Sequence, residues 1–205
     1  VIIIIVLVIR TFLILPFQIS GQSMYDSYYD KEFIIVDRFS YISKLKEPKR
    51  GDVIVFNTHI KNKEYFIKRI IGTPWETVKI SWWMVYVKTV WANDYTLLDE
   101  KYLSNDNYNS TYINWDDKEF LFTVPKWKYF VMWDNRNASS DSRTCFSTCN
   151  FEWSSNYINS KDIVWKVFID LWYIDLAKFK FLHPNLAIPT KPKFFSSPSN
   201  YNYDK

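Results

Sequence analysis

Short apolar runs separated by polar turns fill most of the chain between Ser20 and about His183, and they predict a domain built of β-strands. The runs are rich in β-branched and aromatic residues, as strands are; they read EFIIVDRF, DVIVFNT, YFIKRII, TVKI, MVYVK, EFLFTV, KYFVM and DIVWKVFIDL. None keeps a 3.6-residue apolar period over three turns. The pattern therefore predicts a mostly antiparallel β-sheet with hairpins.

The N-terminal segment has a different character. Residues Val1 to Pro16 are apolar apart from Arg10 and Thr11. Because a bilayer span takes about 20 apolar residues, this segment predicts the outer part of a transmembrane helix that starts further upstream. A cleaved signal peptide and a buried strand are the alternatives. Against a signal peptide, the segment has no charged residues before its apolar run and no small-residue cleavage site after it. We divide the chain into an anchor at 1–17, a β-rich domain at 18–183 and a loose polar tail at 184–205.

Composition and charge exclude two classes of protein. Hydrophobic residues make up 48% of the 205 residues and charged residues 23%, which excludes a disordered chain. The formal net charge is +4, and the lysines are scattered rather than clustered. Nucleic acid is therefore not an expected partner.

If the chain uses a serine nucleophile, its residues point to lysine rather than histidine as the base. A serine usually takes histidine as its base, but His59 and His183 lie in no motif. Lysine is the other base found with serine, and an apolar setting lowers its pKa so that it can accept a proton. Lys68 in FIKRII has such a setting, on the strand face opposite Ile67 and Arg69. Taken alone, Lys68 is better explained as an exposed strand lysine, because lysine is seldom buried.

Three blocks, in this order behind an apolar segment, resemble the bacterial type I signal peptidases: SGQSM at 20–24, YFIKRIIGTP at 65–74 and VMWDNRNASSDSR at 131–143. These are membrane-anchored serine endopeptidases that remove signal peptides from exported proteins. The resemblance implies an antiparallel β-sheet catalytic domain on the extracytoplasmic side of a bacterial cytoplasmic membrane. It implies signal-peptide-bearing preproteins, with small residues at the first and third positions before the cut, and the lipid bilayer as partners. It also implies that no metal or cofactor is needed.

The resemblance assigns roles to individual residues. Ser23 would attack the scissile carbonyl, Lys68 would take and return the proton, and the Ser23 backbone N–H would help to bind the oxyanion. Ser139 would orient the lysine, and Met24 would pack beside the nucleophile. Gly21 stands where some relatives have a hydroxyl donor. The charged residues that would brace the site are Asp134, Arg136, Asp141 and Arg143. Taken alone, their segment is better explained as a solvated turn.

Two other functions stay open. A self-cleaving Ser–Lys protease of the repressor type is one, although those relatives have a DNA-binding region in place of the apolar segment. A catalytically inactive, membrane-tethered β module that binds exported peptides is the other. Tyr25-Asp26-Ser27 follows Met24, where the family usually has Pro-Thr, and this leaves substrate preference open.

The tryptophan and glycine counts are unusual. The chain has 10 Trp and 3 Gly, whereas about 7% glycine is usual. Nine tryptophans lie in turn or loop contexts or where the family has glycine: Trp75, Trp82, Trp83, Trp91, Trp115, Trp127, Trp133, Trp153 and Trp165. The codon UGA is read as tryptophan in some genetic codes and as glycine in others. Our hypothesis is that these nine are glycines in the native protein; the alternative is a true aromatic surface at the membrane interface.

Cys145 and Cys149 form a C-x3-C pair directly after the third block. A disulfide between them suits an extracytoplasmic domain, and two free thiols are the alternative. A zinc site is not expected, because the pair has no further cysteine or histidine ligand nearby.

Overall fold

The computed structural model describes residues 14–25, 27–37, 47–57, 65–113, 119–137, 140–152, 154–175 and 180–182. Within these residues the chain forms strands and two short 3-10 helices, Ser142–Ser147 and Ser160–Asp162. The strands are, in chain order, β1 (Ile14–Gln18), β2 (Phe33–Asp37), β3 (Val53–Asn57), β4 (Tyr65–Gly72), β5 (Thr77–Ser81), β6 (Met84–Lys88), β7 (Thr96–Leu97), β8 (Phe120–Thr123), β9 (Lys128–Met132), β10 (Ile158–Asn159), β11 (Ile163–Asp175) and β12 (Lys180–Leu182).

The strands form two sheets in which every pairing is antiparallel. The larger sheet has the order β1-β2-β11-β3-β4-β9-β10, with β12 paired to β11, and the smaller has the order β7-β6-β5-β8. Each of the eight apolar runs contains a strand, so the predicted mostly antiparallel β domain is confirmed. The last run is the long strand β11, as expected for a segment that carries Asp170 and Asp175.

The central strands read as continuous apolar runs because both of their faces are covered. On β3, Val53 and Val55 belong to one hydrophobic cluster, and Ile54 and Phe56 point into another. A third cluster fills the space between the two sheets and joins residues of β4, β5, β6 and β9.

Strand β4 contributes to all three clusters. Ile67 packs against the first, Ile70 belongs to the second and Ile71 to the third, between the sheets. Lys68 and Arg69 lie between these residues and are almost completely buried, at 1% and 0% exposure. Their backbone is thus fixed by hydrophobic packing on both faces of the sheet.

The structure describes the predicted anchor only from Ile14 onward, where β1 begins and pairs with β2. Residues 1–13, which carry most of that prediction, and the tail at 184–205 lie outside the described residues. No helix in the described part of the chain is long and apolar enough to cross a bilayer.

Candidate active site

Ser23 lies in the turn between β1 and β2, and hydrogen bonds on both sides hold this turn. Gly21 has a φ of +98°, a conformation that glycine adopts without steric cost, and its N–H donates to Asp30 Oδ1 at 2.7 Å. The Asn135 N–H donates to the Ser23 carbonyl at 3.1 Å. Met24 is fully buried in the first cluster.

The Lys68 amine is enclosed by aromatic rings and backbone. Its Nζ lies 4.4 Å from the centre of the Trp133 ring and 5.1 Å from that of Phe66. It donates a hydrogen bond to the Ile67 carbonyl at 2.9 Å. Phe66 and Ile70 pack into one cluster and Ile67 into another, so Lys68 is on the face opposite Ile67, as strand alternation predicts. An exposed strand lysine is thereby excluded.

Burial lowers the pKa of Lys68 to about 7, although the negative charges of Asp141 and Asp134 act in the opposite direction. An ordinary lysine has a pKa of about 10.4 and is almost fully charged at neutral pH. The Lys68 amine is thus neutral in about half of the molecules at pH 7, and a neutral amine can accept a proton.

A cavity of about 410 Å³ brings Ser23 and Lys68 to one site. The turn supplies Gln22 and Ser23 to its wall, and β4 supplies Tyr65 to Lys68. Apolar side chains, including Phe17, dominate the rest of the lining. The structure therefore places the predicted nucleophile and the predicted base at the same cavity.

Asp134 and Arg69 form a buried ion pair, and each directly follows a residue that lines the cavity, Trp133 and Lys68 respectively. Arg69 donates from Nε and Nη2 to the two Asp134 oxygens at 2.8 and 2.6 Å, and both side chains are 1% exposed. Arg69 Nη1 also donates to the Gly51 carbonyl at 2.9 Å. The guanidinium lies 4.0 Å from the centre of the Tyr102 ring. Such two-point pairing fixes orientation as well as charge.

Arg136 occupies a second buried charge pair, with Glu100 as its partner. Its Nη1 donates to Thr111 Oγ1 at 2.7 Å, and its Nη2 donates to the Tyr102 hydroxyl at 2.9 Å. Its Nε donates to the Trp133 carbonyl at 2.8 Å. Arg136 therefore links the end of β9 to the 100–111 segment.

Asp141 and Arg143 form the third pair, with Nη2 and Oδ2 2.9 Å apart and both side chains buried. Asp141 also accepts from the Trp133 N–H at 3.2 Å, and Arg143 Nη1 donates to the Arg136 carbonyl at 3.1 Å. All four predicted charged residues thus brace one loop from inside. These four charged side chains are buried rather than solvated.

Several residues that shape the site were not predicted from the sequence. Arg69, Glu100 and Tyr102 complete the charge network, and Asn135 holds the nucleophile turn. Arg69 and Asn135 lie inside the quoted blocks and could have been found there, whereas Glu100 lies in no motif.

Ser139 lies outside the described residues. Cys145 and Cys149 are joined by a disulfide, with their Cα atoms 5.1 Å apart. Among the described residues, no group of three or more His, Cys, Asp and Glu could hold a metal ion.

Comparison with known proteins gives the family. The family model described as "Signal peptidase, peptidase S26" matches residues 1–172. The chain belongs to this family. It is 34% identical over 161 residues to signal peptidase I P of Bacillus subtilis subsp. natto, covering 78% of each chain. It is 36% identical to signal peptidase I T of Bacillus subtilis over 67% of each chain. The family prediction from the three blocks is confirmed, and the chain is a serine peptidase.

Two further matches are more distant. Signal peptidase I of Pseudomonas aeruginosa is 32% identical over 68% of this chain and 58% of its own length. The crystal structure of a signal peptidase I from Enterococcus faecalis matches with 26% identity and a TM-score of 0.43, over 60% of this chain and 97% of that one. The family assignment rests on the sequence matches.

Proposed function

We propose that the protein removes signal peptides from exported preproteins, with Ser23 as the nucleophile and Lys68 as its general base. The observation that carries this proposal is the shared cavity, in which the Ser23 turn meets a lysine amine that is buried and half neutral at pH 7. A neutral amine beside a hydroxyl is what activation of a serine requires.

The steps follow from these two groups. The neutral Lys68 Nζ takes the Ser23 proton while Oγ bonds to the scissile carbonyl carbon. The tetrahedral intermediate then breaks its C–N bond, and Lys68 returns that proton to the leaving amine. An acyl-enzyme ester on Ser23 remains. Water attacks this ester, Lys68 takes the water proton, and the proton passes to the departing Ser23 oxygen.

The Ser23 backbone N–H supplies one oxyanion donor. Within the part of the chain that the structure describes, this N–H donates to no protein acceptor, so it can donate to the developing oxyanion. Gly21 adds no side-chain hydroxyl. The buried charge pairs act indirectly: through Asn135 and the Trp133 backbone they hold the Ser23 turn against β9.

The substrate segment lies, in this proposal, along two stretches of backbone that line the cavity. These are residues 17–23 and residues 65–68. An extended peptide fits such a cleft and could hydrogen-bond to strand backbone. Membrane tethering by the aliphatic residues 1–13, with the catalytic domain on the extracytoplasmic side, would bring this cleft to a signal peptide as it leaves the bilayer.

Cleavage of a preprotein in detergent tests this assignment. We expect Ser23→Ala and Lys68→Met each to lower the rate at least about a thousandfold. Ser27→Ala, in the same turn but outside the cavity lining, and Lys161→Met, at an exposed position, serve as matched controls and should keep the rate.

The assay is run in two backgrounds, the chain as written and Trp133→Gly, because the Trp133 ring covers the Lys68 amine. If both folded backgrounds leave a range of preproteins uncut, the peptidase proposal fails. An inactive, tethered peptide-binding module would then be the better account. Loss of cleavage in the controls would equally overturn the assignment of Ser23 and Lys68.

A further inference from the structure

Four of the nine tryptophans described above have a left-handed backbone. Their φ angles all lie between +52° and +73°, at Trp75, Trp82, Trp83 and Trp127. A Cβ is unfavourable there, and the rare residues that adopt this conformation are usually Gly, Asn or Asp. All four side chains are more than half exposed, so little packing compensates for the strain.

The turns themselves call for glycine. Trp82 and Trp83 form the entire two-residue loop between β5 and β6, where Ser81 pairs with Met84. Both have positive φ, which is the signature of the type I′ hairpin turn and its preference for Asn-Gly or Gly-Gly.

Trp75 and Trp127 each occupy the third position of a β-turn. The Glu76 N–H donates to the Thr73 carbonyl at 3.2 Å, and the Lys128 N–H donates to the Pro125 carbonyl at the same distance. In the first turn Pro74 precedes Trp75. Proline second and a positive φ third define the type II turn, whose third residue is normally glycine.

Two further tryptophans have a buried indole N–H without a hydrogen-bond acceptor among the described residues. The indole N–H groups of Trp133 and Trp165 are buried and have no hydrogen-bond partner in the described part of the chain, whereas buried polar groups are nearly always paired. The Trp133 ring also covers the amine that the proposed mechanism needs. Backbone strain and an unpaired indole N–H are independent arguments against tryptophan, and together they apply to six of the nine positions.

We infer that the native protein carries glycine at positions 75, 82, 83, 127, 133 and 165. The common cause is one codon, UGA, read as glycine in the native cell and as tryptophan in the sequence as written. The same reading extends to Trp91, which is 94% exposed, and to Trp115 and Trp153, outside the described residues. Glycine at all nine positions raises the count from 3 to 12, close to the usual share of about 7%.

Glycine at position 133 changes the active site as well. Without the indole, the face of the Lys68 amine opens to the cavity that also holds Ser23. This consequence rests on the proposed function. It makes position 133 a determinant of how much room the substrate and the attacking water have beside the base.

Peptide masses of the protein purified from its native cells test the inference without any activity assay. Trypsin releases ISWWMVYVK, with Trp82 and Trp83, and YFVMWDNR, with Trp133. We expect glycine masses at all three positions. The peptide VFIDLWYIDLAK contains Trp172, which lies outside the nine and should keep its tryptophan mass. Tryptophan at positions 82, 83 and 133 would overturn the inference and leave the proposed function standing.

Thermal unfolding of recombinant protein tests the strain separately. Trp82→Gly/Trp83→Gly should raise Tm by at least about 4 °C, because two left-handed backbone positions are relieved. The matched control is Trp82→Ala/Trp83→Ala, which removes the rings but keeps a Cβ at both positions. If the alanine variant gains as much as the glycine variant, or the glycine variant loses stability, backbone strain is refuted as the reason for glycine here.

Discussion

Replacing Lys68 by methionine should stabilise the protein while it abolishes cleavage. The amine is 1% exposed, and burial lowers its pKa from 10.5 to about 7. One pKa unit corresponds to about 1.4 kcal/mol, so folding with this lysine costs about 5 kcal/mol at pH 7. Methionine has a similar length and no charge. It loses the hydrogen bond to Ile67, worth about 1 kcal/mol, and the contacts of the amine with the two aromatic rings.

The sign of the pH dependence follows from proton counts. Below pH 7 Lys68 is protonated in both states, and the full cost is present. Between pH 7 and 10.5 the unfolded chain binds a proton that the folded protein does not, so the stability of the wild-type protein rises with pH through this group. The advantage of Lys68→Met should therefore fall by about 1.4 kcal/mol for each pH unit above 7.

Urea unfolding at pH 7, 8 and 9 measures this advantage. We expect a gain in the free energy of unfolding of about 4 kcal/mol at pH 7 that falls to about 1 kcal/mol at pH 9. Lys161→Met removes an exposed lysine and should show neither effect. A gain that is the same at all three pH values would refute the reasoning, because Lys68 would then have the same pKa in both states.

Three further predictions follow from the same structure. The value of kcat/KM should rise about tenfold in total between pH 6 and pH 8 and then level off, since Lys68 has a pKa of about 7. A tenfold rise for every pH unit up to pH 9 would mean an ordinary lysine. Asp134→Ala should lower the free energy of unfolding by about 3–5 kcal/mol in urea, because the Arg69 charge is left buried and unpaired; a loss below 1 kcal/mol would contradict this. Reduction of Cys145–Cys149 should lower the free energy of unfolding by no more than about 2 kcal/mol, because the bond closes a loop with a sequence separation of only 4. Denaturation curves with and without reductant measure this loss. A larger loss would show that the bond does more than close a short loop.

The strands could be predicted because their signal is local. Runs such as VIVF and KYFVM carry β-branched and aromatic residues at the positions where the sheets need them, and all eight runs contain strands. Strand β1 could not be predicted, because apolar residues precede it directly. Ile14–Gln18 continues the apolar residues upstream, so hydropathy alone could not separate a strand from the end of a predicted membrane helix.

The charge network could not be predicted in full, because its partners are far apart in sequence. Arg69 and Asp134 are separated by 65 residues, and Glu100 and Arg136 by 36. Glu100 is surrounded by ordinary loop residues and becomes distinctive only when the fold buries it beside a guanidinium. The resemblance supplied the arginines and aspartates of the third block, while their pairing is a property of the folded chain.

The hydrogen bond from the Asn135 backbone N–H to the Ser23 carbonyl makes the exchange of this N–H proton a measure of whether the Ser23 turn is docked. Asn135 follows β9, whereas Ser23 lies in a turn at the far end of the chain. When the turn undocks while the sheets stay folded, this amide loses its acceptor and exchanges with solvent. Its deuterium uptake, set against that of the β9 amides, measures the free energy that separates the docked from the undocked serine, without substrate or inhibitor.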